Sequence, residues 1–535
     1  MLLYPGPLGL FFGAILLAQV AASALVGLWR SPGFWLLVVA MTLVLLAGNP
    51  FALVFGVGVM AVTSWCLRVR ATSKPAIVAA GSAIFAVGCL IPALTLPVSS
   101  PAFVLVLLGT GSLAGLAVFF NGPLRAEAAL PAALSALMSG GMLNSAFYVL
   151  IHYVFITAAP SQQSWWGAAL MMVGALSVGG GALKAALAID LRDVLVWATM
   201  AAAGFITMAV GVALQAEIAD HLMLSGLALQ AVLFGILAHG LLKPLLFIGM
   251  GEVSRAVGTT SLNWLGGLMR GMPRLGTLML LGMAGMAMLP LGPAFTALFL
   301  LIHAFVGMVL QGGWLACFGG AVLLAVSGLG MALLLLAGIK FIGLGFLGRP
   351  RSLHAAAAED TRSGPFAGMV LLAIACVPLA LVPGFVLLLC APVVNILAPL
   401  AQTDKLTYAP LTLCLLAGLV LLLAGFVQTR WGVNSMRETS AWNGGFGRPP
   451  TWLPFGDPHT QSSGSGFVQP LSEAFEQMAP MNLMMRWLVR RVRRFYWFTV
   501  RLVRQRRRLT PRLWLACLFG ALLFAFLAFS LMQKG

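Results

Sequence analysis

The sequence predicts an all-α polytopic membrane protein with about fourteen transmembrane helices, each about 20 residues long. Of its 535 residues, 61% are hydrophobic and only 8% are charged, and the mean hydropathy is +1.02. Ordinary soluble domains are far more polar. Strand-like alternation of apolar and polar residues is absent, and only helices or closed barrels satisfy the backbone in lipid. We therefore expect a bundle of helices.

Apolar runs long enough to span a bilayer recur along nearly the whole chain. Examples, in chain order, are residues 8–29, 76–96, 166–188, 194–214, 366–390 and 411–427. No basic residue precedes the first run and no convincing cleavage site follows it, so we expect it to be a retained span. The seven cysteines lie in or beside apolar runs without C-x-x-C spacing, which argues against disulfides, zinc and iron–sulfur clusters.

Composition divides the chain into five parts. We predict N-terminal transmembrane helices at 1–50, a transmembrane core at 51–428, a polar linker at 429–485, a basic interfacial helix at 486–512 and a final transmembrane helix at 513–535.

The net charge of +18 comes largely from eleven arginines between Arg486 and Arg512. A basic segment beside a span is held on the cytoplasmic side and attracts anionic lipids, so we expect lipid rather than nucleic acid as its partner. The expected location is the bacterial cytoplasmic (inner) membrane.

Glycine and proline occur together at two places inside the apolar region, 115–131 and 288–295. Such interruptions indicate broken helices in two inverted repeats, and Pro131, Pro290 and Pro293 are the candidate breaks. Ordinary loops between helices are the alternative.

The segment "AHGLLKPLLF" places a histidine, a lysine and a proline in one apolar helix. His239 and Lys243 are four residues apart and project from the same face. A lysine near the bilayer centre costs about 2.5–3.5 kcal/mol, so we expect it to face a cavity or a partner. Pro244 cannot donate to the carbonyl of Gly240, which predicts a kink and a free acceptor beside the lysine. These groups are candidate stations of a proton path, although Lys243 could instead reach the interface.

Three further ionisable residues in apolar runs are candidates for the same path: Lys340, His152 and His303. Each of them could equally be a packing or interfacial residue. No phosphate-binding loop, paired carboxylates or nucleophile motif is present. We expect no cofactor and no metal in this chain, and no catalytic residue.

Five stretches resemble the proton-conducting, antiporter-like membrane subunits of respiratory complex I, Mrp-type antiporters and group 4 hydrogenases, most closely the large subunit of hydrogenase-4 and formate hydrogenlyase. They are residues 130–152, 186–204, 238–273, 340–352 and 441–471. The resemblance implies two inverted five-helix repeats with broken helices. It places His239 and Lys243 on the family's central histidine and lysine, and Lys340 on a distal lysine.

Several charges of that family are missing here. Gly58 stands where a glutamate is expected, and Leu113 and Asn144 stand where lysines are expected. Leu298 replaces a charged residue after the second broken helix, and Gly235 replaces a histidine. The polar path implied by the resemblance is therefore reduced to its centre and its distal half.

The leading hypothesis is a non-catalytic membrane subunit of a complex related to hydrogenase-4 and complex I. It would take part in H⁺ or Na⁺ translocation, or in coupling it to redox chemistry in partner subunits. One alternative is the membrane subunit of a cation-gradient-driven inorganic-carbon uptake complex with a soluble zinc-binding partner. Another is a scaffold that conducts nothing.

Overall fold

The computed structural model describes residues 6–70, 74–117, 130–400, 410–431 and 461–477. Within these ranges the long helices are α1 (Pro7–Leu25), α2 (Pro32–Leu45), α3 (Pro50–Arg70), α4 (Lys74–Thr95), α5 (Ser100–Ala114), α6 (Ala132–Thr157), α7 (Ser164–Leu187), α8 (Leu191–Ile218), α9 (Leu222–Val257), α10 (Pro273–Met286), α11 (Pro293–Gln311), α12 (Trp314–Gly345), α13 (Ser363–Leu381), α14 (Pro383–Leu397), α15 (Pro410–Trp431) and α16 (Gln469–Gln477). Short helical turns lie at Leu268–Gly271 and Leu353–Ala356.

The predicted class, an all-α polytopic membrane protein, is confirmed. Among the described residues, nine helices are long and apolar enough to cross a membrane, and five shorter helices are also apolar. No strand occurs in these ranges, and Asp190 and Ser261 form an isolated β-bridge. The chain is therefore a membrane protein whose backbone is satisfied within helices.

Helix α9 forms the centre of the bundle. It contacts α1, α6, α8, α10, α11 and α13. The most apolar stretches of α6 and α8 are completely buried in protein, whereas α15 exposes nearly its whole surface. His239 and Lys243, in the middle of α9, are consequently buried within the bundle.

Helices α7 and α8 approach each other along a seam of glycines. A methyl group added to Gly174 would lie 2.7 Å from the Gly204 carbonyl oxygen, and one added to Gly211 would lie 2.7 Å from the Gly167 oxygen. Small residues at such positions let two backbones come close, as is common between membrane helices. The seam fixes α8 against α7 and so positions the side of α8 that faces α9.

Helix α6 contains two π-helical turns, at Met138–Met142 and His152–Thr157. A π-turn accommodates one extra residue in a helix and is often found at functional sites. The first contains adjacent glycines, Gly140 and Gly141, and lies against α9.

The chain is not helical between α10 and α11. Met288 and Leu291 adopt φ angles of 55° and 71° there. These angles lie in the left-handed region, which residues other than glycine rarely adopt. Pro290 lies in this turn, and Pro293 is the first residue of α11. Pro131 directly precedes α6. The segment before it, 118–129, lies outside the described residues.

The polar region after the core is described only at 461–477. Gly464 is buried against Ile189 and Leu262, and its backbone N–H donates to Asn263 Oδ1 at 2.9 Å. Arg351 donates to Gln461 at 3.3 Å and to the Leu262 carbonyl at 3.0 Å. Residues 461–468 thus form a docked segment on the transmembrane core. The basic helix 486–512 and the final helix 513–535 lie outside the described residues.

Candidate functional site

Lys243 lies inside the bundle rather than at its surface. Its side chain is 0% exposed, and its ammonium group donates a hydrogen bond to the Leu195 carbonyl of α8 at 2.5 Å. Lys243 is the twenty-second of the 36 residues of α9, well away from both ends of the helix. The ammonium group therefore does not reach an interface, and the lysine is satisfied within the protein.

Two hydroxyl groups extend this polar centre. Thr199 Oγ1 donates to the same Leu195 carbonyl at 3.0 Å, and it lies 3.4 Å from Ser139 Oγ in the first π-turn of α6. The side chains of Lys243, Thr199 and Ser139 are all buried. A line of polar groups therefore runs from Lys243 past Leu195 and Thr199 to Ser139, through a core that is otherwise apolar.

The Gly240 carbonyl, expected to be a free acceptor, is occupied. Helix α9 continues through Pro244, and the Gly240 oxygen accepts a hydrogen bond from Gln19 Nε2 of α1 at 2.8 Å. The prediction of a free acceptor is therefore wrong. A buried backbone carbonyl that loses its helical donor is normally satisfied by another group.

Asn144 lies beside this contact. Its Nδ2 is 2.8 Å from the position that a methyl group on Gly240 would take, and Gln19 Nε2 is 3.1 Å from the same point. Neither the amide oxygen nor the amide nitrogen of Asn144 has a hydrogen-bond partner among the described residues. This chain therefore holds a buried neutral amide at the position where the resemblance implies a lysine.

His239 is 3% exposed, and neither of its ring nitrogens has a hydrogen-bond partner in the described part of the chain. It lines a void of about 30 Å³ whose other walls are almost entirely apolar, including Phe205, Ile206 and Leu298. A void of this size has room for water, but water needs several polar partners to stay bound. Gly235, one turn before His239, lines the same void and supplies no polar side chain.

Lys340 occupies a second site. It is buried in α12, and its ammonium group donates to the carbonyls of Ala186 and Ala188 at the C-terminal end of α7. A cation at the C-terminus of a helix is favoured by the helix dipole and satisfies carbonyls that have no helical donor. Lys340 therefore contacts the end of α7 and not the centre of α9.

The other predicted residues are spread over the bundle. His152 is partly buried in the second π-turn of α6, with Nδ1 3.3 Å from Thr157 Oγ1. His303 is exposed on α11 and lies beside Phe299, with ring centroids 4.2 Å apart and the ring planes tilted by 43°. Gly58 and Leu113 are buried in α3 and α5. Of the proposed stations, the structure brings together only His239 and Lys243. In the described residues no group of three His, Cys, Asp or Glu side chains is placed to hold a metal.

Three residues of this polar centre were not predicted from the sequence: Gln19, Ser139 and Thr199. Gln19 was detectable as a lone amide within the first apolar run, "LGLFFGAILLAQVAASALVG". A polar side chain at that depth needs a partner in the bundle. The partner itself could not be inferred because it lies 221 residues away in the chain.

Residues 99–324 match the protein family described as NADH:quinone oxidoreductase/Mrp antiporter, transmembrane. This transmembrane region is antiporter-like. The matched range includes α6 to α9 and with them the polar centre around Lys243. The resemblance predicted from the sequence is confirmed.

Similar proteins include an uncharacterized protein of Mycobacterium tuberculosis, 34% identical over 58% of this chain and 48% of that protein. Hydrogenase-4 component B of Escherichia coli is 29% identical over 71% of this chain and 58% of its own length. The chain thus spans only about half of these relatives. Among solved structures, a chain of the archaeal membrane-bound sulfane sulfur reductase, a respiratory membrane complex, is 18% identical and matches 98% of this chain and 89% of its own length with a TM-score of 0.72. That likeness shows the fold.

Proposed function

We propose that this chain is the antiporter-like membrane subunit of a complex related to hydrogenase-4 and complex I, and that it takes part in proton translocation at Lys243. The observation that carries the proposal is the completely buried ammonium group on α9. A lysine in this environment costs about 2.5–3.5 kcal/mol to insert, and such residues usually mark an ion path. The name of the Escherichia coli relative, hydrogenase-4 component B, supports the kind of complex.

The surroundings of Lys243 suit a group that gains and loses a proton. Both the ammonium and the neutral amine can donate to the Leu195 carbonyl, so the side chain keeps its position in either state. The hydroxyls of Thr199 and Ser139 can each donate and accept, which is the property that a proton relay requires. His239, one turn away, is the second titratable group of this centre.

A second candidate, coupling without conduction, is favoured by the apolar void beside His239. Leu298, Phe205 and Ile206 line this void together with the histidine and supply no polar side chain. In this case the charge of Lys243 would transmit electrostatic or conformational changes between partner subunits, and no proton would pass.

We propose that the redox centres belong to partner subunits and that this chain holds none. The complex would lie in the bacterial inner membrane. The arginines between Arg486 and Arg512 would face the cytoplasm and contact anionic lipids.

The test uses the intact complex in inverted membrane vesicles, with the redox reaction started and acidification followed by quenching of a pH-sensitive dye. We expect Lys243→Ala to remove at least about 90% of the acidification per electron transferred, because an essential protonation site is lost. Lys243→Arg keeps the positive charge but does not release its proton. If the lysine is a proton relay, this variant should lose acidification to the same extent as Lys243→Ala. The exposed Lys184→Arg serves as the control.

Unchanged acidification in an assembled Lys243→Ala complex would refute both candidate functions. If acidification per electron is retained in Lys243→Arg and lost in Lys243→Ala, the result favours coupling by a fixed charge.

A further inference from the structure

The backbone of α9 has a gap at the turn that carries the candidate site. Pro244 has no N–H, so the Gly240 carbonyl receives no hydrogen bond from the residue four positions later. His239, Gly240 and Lys243 all belong to this turn. A missing bond there lets the turn open or shift, and both titratable side chains would move with it.

The amide of Gln19 fills that gap from a different helix. Gln19 is 0% exposed, and its Nε2 donates to the Gly240 oxygen at 2.8 Å. The donor that proline removes is thus replaced by a side chain of α1. Its amide oxygen has no partner within the described residues, so the one hydrogen bond that Gln19 makes there is the bond to α9.

Glycines make room for this amide on two sides. A methyl group on Gly140 would lie 2.7 Å from Gln19 Nε2, and one on Gly141 would lie 3.3 Å from Gln19 Oε1. On α9, a methyl group on Gly240 would lie 3.1 Å from Nε2. The first π-turn of α6 and the glycine of α9 therefore leave room for the Gln19 amide of α1.

From this geometry we propose that Gln19 is a positioning residue for Lys243: its amide closes the proline gap in α9 and fixes the turn that bears His239 and Lys243. The turn is held from two sides, by Gln19 at the Gly240 carbonyl and by the Leu195 carbonyl at the Lys243 ammonium group. Its importance for translocation rests on the function proposed above.

The test is an epistasis experiment on the intact complex. Gln19→Leu removes the donor at similar volume, and Pro244→Ala restores a backbone N–H that can donate to Gly240. The matched control is Gln230→Leu, the same substitution at a buried glutamine ten residues before Gly240 on α9. Each variant is measured by hydrogen–deuterium exchange of residues 236–247 and by acidification per electron transferred.

We expect Gln19→Leu to raise exchange in 236–247 by about fivefold or more, the factor that corresponds to one typical buried hydrogen bond. Acidification per electron should fall at the same time. The double variant Gln19→Leu/Pro244→Ala should return both quantities to those of Pro244→Ala alone, and Gln230→Leu should leave exchange in 236–247 unchanged.

Unchanged exchange in Gln19→Leu, or a double variant no better than Gln19→Leu, would overturn the proposal. So would a matching rise of exchange in Gln230→Leu, because the effect would then be general loosening of α9. If the exchange pattern is as expected but Lys243→Ala leaves acidification intact, the proposed function fails while the role of Gln19 in fixing the turn stands.

Discussion

The glycine seam between α7 and α8 predicts that two glycine-to-alanine substitutions on α7 differ strongly in their effect on the free energy of unfolding. Gly174→Ala places a methyl group 2.7 Å from the Gly204 oxygen, whereas Gly179→Ala meets nothing within 4 Å. Since ordinary contact begins near 3.4 Å, the two helices must separate by roughly 0.7 Å at Gly174. Forced overpacking of this kind costs about 1–3 kcal/mol.

Both variants gain about 0.5–1 kcal/mol from replacing a helical glycine by alanine, so that term cancels in the comparison. We therefore expect Gly174→Ala to be less stable than Gly179→Ala by about 1–3 kcal/mol of unfolding free energy. The assay is titration of the purified protein with SDS in mixed micelles, followed by tryptophan fluorescence. Equal midpoints for the two variants would refute the close approach of α7 and α8.

Two further predictions concern Lys340 and the docked segment 461–468. Lys340→Met removes the donor to the Ala186 and Ala188 carbonyls, and it should lower the unfolding free energy by about 1–3 kcal/mol because buried acceptors lose their partner. The same SDS titration measures this loss of stability, with the exposed Lys184→Met as control. Equal midpoints for Lys340→Met and Lys184→Met would contradict the prediction. Arg351→Met removes the bonds to Gln461 and Leu262, so residues 461–468 should become more sensitive to limited proteolysis. The exposed His354→Ala should not change the cleavage pattern, and an intact segment in Arg351→Met would argue against the docking contact.

Local sequence patterns were enough to predict the helices and to place His239 and Lys243 together. Long apolar runs predict helical spans because a helix satisfies its own backbone in lipid, and a four-residue spacing places His239 and Lys243 on one face. The cost of a lysine in hydrocarbon correctly placed Lys243 inside the bundle.

Contacts between distant parts of the chain could not be obtained in this way. Pro244 revealed that the Gly240 carbonyl lacks a helical donor, but the donor that replaces it comes from Gln19. The attachment of Lys340 to the end of α7 and the exposure of His303 likewise depend on how helices far apart in sequence are arranged. Periodicity within one helix carries no information on these arrangements.

The π-turns of α6 have a consequence for how this helix tolerates length changes. Each acts as a one-residue insertion, and one residue corresponds to about 100° of rotation around a helix. The side chain of Ser139 lies beside Thr199 of α8, and the side chain of Asn144 lies beside Gly240 of α9. Because a π-turn takes up its extra residue locally, deleting one residue between Ser139 and Asn144 would restore a regular α-helix and leave the two flanking segments in the same orientation. A substitution that turned Met138–Met142 into regular α-helix without a deletion would instead rotate the two segments of α6 against each other by about 100°.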